Sequence, residues 1–133
     1  MSQGLTEAAI ADQVVRFYGR ARQDALLGPV FAAAIQDWDP HIRVITDFWA
    51  GALLGVRRYK GNPLAVHSAH PLTPEMFARW LALWAETADE HFAPEAAELV
   101  KAKAEMIGKS LQLGLFFRPE APLIRNAAEA PAG

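Results

Sequence analysis

The sequence has no cysteine among its 133 residues. Disulfides, thiolate nucleophiles and Cys-built zinc or iron–sulfur sites are therefore excluded, and a reducing, cytoplasmic setting is expected. A basic excess is also missing: 13 Lys and Arg stand against 15 Asp and Glu, for a formal net charge of -2. Such a balance offers no basic face for phosphate backbones, so nucleic acid is not an expected partner. No window approaches the roughly 20 apolar residues of a membrane-spanning helix. The opening "MSQGLTEAAIADQ" has neither a positively charged flank nor a continuous apolar core, so no signal peptide is expected. There is no Gly-rich phosphate loop and no serine with nucleophile-elbow spacing. The acids fall mostly on solvated helix faces, which argues against a paired-carboxylate hydrolase.

What is present is an ordinary globular balance, 52% hydrophobic and 21% charged, with an unusual load of rings: four Trp, seven Phe and two Tyr. Large rings suit a helical protein that walls a cavity, and equally a dense core. The length predicts one domain, placed at 1–118, and the Pro/Ala-rich remainder at 119–133 carries no periodic face and reads as a flexible tail. The first helix is expected over 6–27, with Thr6 as cap and Ile10, Val14, Phe17 and Ala21 on one face. A short helix "PVFAAAI" follows Gly28. The next runs to about Gly55, with Asp39 as N-cap, Pro40 at its first position, and His41, Ile45, Phe48 and Ala52 aligned. Residues 55–74 are then mostly non-helical, with room for a turn or two at "PLAVH". A break that long in a compact domain is uncommon unless it has a task. Thr73 and Pro74 start another helix with Phe77, Trp80 or Leu81, Trp84 and Ala88 inward. Pro94 opens the last, with Ala97, Val100, Ala104, Ile107, Leu111 and Leu115 on its inner face, ending near Phe117.

Two of the four histidines look misplaced for a purely structural protein. His41 shares the apolar stripe of its helix, where it is either a satisfied boundary residue or a donor facing a cavity. His67 closes the short helix of the insert, where it either complements the helix dipole or is an imidazole held rigidly for a ligand. Zinc would require both His67 and His70 on one continuous helix, and Pro71 biases His70 away from helical angles. His70 reads as a rim residue. Tyr18, beside Phe17, and Trp80 each carry a polar tip that needs a partner when buried. Donors from His, Tyr and Trp on separate helices, facing one rigid imidazole, suit a polar diatomic held on a haem, whose axial ligand is often a single His.

With these residues in place, the sequence resembles the truncated haemoglobins, and within them the third group. The resemblance spans about Ile10 to Phe116 and rests on "FYGRARQDALLGPVF", "DWDPHIRVITDFWAGALLG", "YKGNPLAVH", "MFARWLALW" and "SLQLGLF" in this order and spacing. The third group also lacks the glycine pairs that other groups carry near helix junctions, as this sequence does. The resemblance implies an all-α, globin-like fold: a two-over-two helical sandwich around haem b, iron protoporphyrin IX. It makes His67 the proximal ligand of the haem iron. Tyr18, Trp80 and His41 become the distal residues. Phe31, Trp38, Ile45, Phe48, Trp49, Phe77 and Trp84 are expected in the haem cage, and Arg43, Lys60 and Arg79 near the propionates.

The activity so implied is reversible binding of oxygen, NO and CO by a cytoplasmic monomer or weak dimer. A haem enzyme that consumes nitric oxide or peroxide with a separate reductase is the alternative. A cofactor-free helical interaction domain is the further one.

Overall fold

A computed structural model describes residues 3–68, 70 and 72–116. The expected tail lies outside the described residues. Six helices follow in order: α1 (Glu7–Ala21), α2 (Gly28–Ala34), α3 (Trp38–Leu54), α4 (Pro63–Ser68), α5 (Pro74–His91) and α6 (Pro94–Phe116). The fold is all-α and globin-like, and an isolated parallel bridge between Gln3 and Phe92 is the sole β-type pairing among the described residues. Helices α1 and α3 pack together, as do α5 and α6; α1 crosses onto α5 and α3 onto α6. That is the two-over-two sandwich. Helix α4 is carried on α6.

Local chemistry accounts for the boundaries. Thr6 and Thr73 cap α1 and α5 by accepting from the N–H groups of Ala9 and Met76, supplying partners for otherwise orphaned donors. Gly55, at φ 77°, closes α3, and the Val56 N–H returns to the Ala50 carbonyl at 3.3 Å. A left-handed residue there favours glycine.

Two expectations are corrected. Helix α1 stops at Ala21 rather than near Leu27, because the chain tightens into shorter bonds, Gln23 N–H to Arg20 O and Asp24 N–H to Ala21 O. The Asp24 carboxylate then takes the N–H groups of Leu26 and Leu27, each at 3.0 Å, a local alternative to helix that aspartate readily offers. Helix α3 begins at Trp38, with Asp37 at the N-cap and Asp39 in the first turn. Pro40 is tolerated two positions further in because first-turn N–H groups have no intrahelical partner.

The core between the layers is aromatic. Trp84, 2% exposed, stacks on Trp49 with centroids 4.5 Å apart, and Phe17 meets Trp84 edge-on. At the α5–α6 corner a polar chain ties down the N-terminal segment. Gln3 Nε2 donates to Asp12 and to His91 Nδ1; His91 Nε2 donates to Gln13 Oε1; Gln13 Nε2 donates to the Trp84 carbonyl. Every member finds a partner, which burial of polar groups demands.

Candidate functional site

A cavity of about 100 Å³, partly open to solvent, is lined by Tyr18, Leu27, Val30, Phe31, His67, Leu72, Met76, Phe77, Trp80 and Leu111. Its walls are mostly apolar, with polar atoms from few side chains, the usual make-up of a small-molecule site. Five of six helices contribute, or the turns joining them.

His67 is on one wall. Its Nδ1 lies 2.6 Å from the carbonyl of Pro63, one turn earlier in α4. A carbonyl can only accept, so Nδ1 carries a proton, and in the neutral ring Nε2 then keeps its lone pair, the tautomer a metal ligand needs. The short helix that holds the ring is itself fixed: Asn62 accepts from the Ala65 N–H, and Gly114 of α6 lets Leu64 approach where a side chain would stand 2.8 Å from it. Among the described residues no three His, Asp or Glu side chains converge as a bare metal ion would need.

On another wall Tyr18 is nearly buried, and its hydroxyl stands 3.2 Å from His41 Nε2. Burial pushes the Tyr18 phenol well above its ordinary range and lowers the His41 imidazole. Both are thus neutral near pH 7, since desolvation disfavours the charged form of each. Phe31 and Trp38 press edge-on against the Tyr18 ring and hold it. His41 itself reaches the cavity through Tyr18 rather than as a lining residue.

The other expected site residues divide. Phe31, Phe77 and Trp80 line the cavity. Trp49 and Trp84 are core instead: they stack on each other between the layers, and Trp84 Nε1 donates to the Val100 carbonyl. Phe48 packs against Trp49 and Tyr59, and Ile45 against the core edge. Trp38 backs Tyr18 and lies under the Arg22 guanidinium, 4.2 Å from the ring centroid. Arg43 and Lys60 are exposed, while Arg79 is bonded to Asp24. His70 is half-buried beside α4.

Sequence reasoning passed over Leu27, Val30, Leu72, Met76 and Leu111 as lining residues. Met76 was recoverable, one turn before Trp80 on the same face. Leu72 sits in the aperiodic insert and left no signal.

No family model matches the chain. Among curated proteins it is similar to "Group 3 truncated hemoglobin ctb" of Campylobacter jejuni, with 35% identity over 117 residues, 84% of this chain and 92% of that protein. Among solved structures it is similar to the crystal structure of a group III truncated hemoglobin from Campylobacter jejuni. There the TM-score is 0.80 and the identity 36%, over 85% of this chain and 93% of the other. Identity at this level over nearly the full length of both chains, with the same helical sandwich, makes this chain a member of the group III truncated haemoglobins.

Proposed function

We propose that the protein is a b-type haem globin of the cytoplasm that reversibly binds oxygen and related diatomics, with His67 as the iron ligand and Tyr18, His41 and Trp80 as distal residues. The observation that carries this reading is the His67 ring on the wall of an apolar cavity, one nitrogen bonded to Pro63 and the other without a hydrogen-bond partner among the described residues. The residues present would fit the group: a flat apolar cofactor would suit the mostly apolar cavity, and the His67 imidazole would hold its iron. Haem, when bound, supplies an iron with one coordination position for a diatomic ligand.

The chain's own part is to fix the imidazole, exclude water and place donors. The Pro63 carbonyl places a proton on Nδ1 of His67 and holds the ring plane. In the tautomer with the proton on Nε2, the neutral His41 donates to the Tyr18 oxygen. That leaves the Tyr18 O–H free to turn towards the ligand. Trp80 adds an indole at the same wall. A partly negative ligand gains most from such donors in a dry site.

His67→Ala should abolish stable haem uptake by the purified protein. Full retention of the haem absorption bands, with their shift on dithionite and carbon monoxide, would overturn the assignment.

A further inference from the structure

Helix α2 has little to hold it. It is seven residues long, has no side-chain cap, and forms none of the extensive helix–helix packings. A helix this short is marginal by itself. Yet it supplies Val30 and Phe31 to the cavity wall, and Leu27 immediately precedes it. Phe31 is anchored on the rings of Tyr18 and Trp38. The other anchor is electrostatic. The Asp24 carboxylate is 7% exposed and uses both oxygens: Oδ2 accepts from the N–H groups of Leu26 and Leu27, and Oδ1 accepts from Arg79 Nε at 2.6 Å. The Leu27 N–H and then Arg79 hold this carboxyl below its ordinary range. Arg79 neighbours Trp80 in α5, so the bond joins the turn leading to one cavity wall with the helix that forms another.

We propose that Asp24 and Arg79 form a latch that ties the turn before α2 to α5, sets how far α2 stands from Trp80, and so governs the passage of small ligands into the cavity. Both are positioning residues and neither lines the cavity. The ligand role rests on the haem reading given above; the mechanical role does not. Asp24 caps its own turn whether or not Arg79 is present, so removing the arginine cuts the tie and leaves the turn closed.

The test compares Arg79→Leu and Arg79→Lys with the unaltered chain. In Arg79→Leu, amide hydrogen exchange across 28–34 should quicken about 3-fold or more, and carbon monoxide recombination after photolysis should quicken similarly, the size that a partly exposed ion pair allows. The haem absorption bands should not move. Arg79→Lys, which keeps a charge within reach of Asp24, should return both rates to within about 2-fold of the original. Arg79→Gln takes the place of Arg79→Leu if the leucine variant does not fold. Unchanged exchange in α2 overturns the latch, as does unchanged recombination in a haem-loaded protein, or equal acceleration by Lys and Leu. Should the unaltered chain take up no haem, the haem reading falls and the exchange comparison decides the latch alone.

Discussion

Tyr18 faces two demands that its sequence position explains. Phe17 and Tyr18 are adjacent in α1, so their side chains leave the helix about 100° apart. Phe17 enters the tryptophan core, and Tyr18 turns to the cavity. Because burial raises its phenol, Tyr18 keeps its proton throughout the physiological range and remains a donor. Tyr18→Phe should therefore speed oxygen dissociation, a lost bond of about 1–3 kcal/mol corresponding to about 5- to 150-fold. Stopped-flow displacement of oxygen measures this; an unchanged rate would remove Tyr18 from the distal set. His67 is legible for a different reason. Its bond to Pro63 is made one turn back within its own helix, so "PLAVH" contains both the proposed ligand and its orienting acceptor.

Two glycines of the first elements separate what a helix needs from what packing needs. A Cβ at Gly28 would stand 2.7 Å from the Arg22 carbonyl oxygen, a backbone atom that cannot move aside without opening the turn before α2. Gly28→Ala should cost about 1–3 kcal/mol in denaturant unfolding, the usual range for overpacking. Gly19, exposed within α1, has nothing within 4 Å of the same position. Gly19→Ala should stabilise by about 0.5–1 kcal/mol, since alanine loses less backbone freedom on folding. Equal effects of the two changes would mean that contact with Arg22 is not what selects glycine at 28. The early end of α1 belongs to this scale too. The stop at Gly28 and Pro29 puts the expected end near Leu27, but a single carboxylate, Asp24, captures the N–H groups that helix would have used.

Across the whole molecule, His91 links the N-terminal segment, α1 and the α5–α6 corner. Burial lowers its pKa, against the pull of Asp12, 3.7 Å away, and of Glu90, with Arg16 adding to the lowering. A histidine whose folded pKa is depressed takes its proton more readily in the unfolded chain. Its contribution to stability is therefore whole above the unfolded value of about 6.5 and is lost as pH falls through the folded pKa. His41 has the same sign. Unfolding midpoints should be level from about pH 7 to 8 and decline below about 6.5, each such group costing up to about 1.4 kcal/mol per pH unit within its window. His91→Gln should flatten part of that decline, and His91→Gln with His41→Gln more of it. An undiminished slope in the double variant would place the proton uptake elsewhere.

What the sequence determined by itself is what short-range chemistry controls. Thr6, Thr73, Gly55 and the prolines set most helix limits, periodicity marked the inner faces, and the broken stretch around His67 announced an imidazole held apart from the bundle. Tertiary structure alone decided which large rings became core and which became wall. Trp80 and Trp84 lie one turn apart on the same helix, yet the first borders the cavity and the second fills the centre, because Trp49 of α3 lies 4.5 Å from Trp84 and 6.4 Å from Trp80. Likewise Arg79, free to be read as a partner for a propionate, meets Asp24 55 positions away, and His91 meets Gln3 at a separation of 88. Such pairings depend on where whole helices cross, which no local pattern of residues encodes.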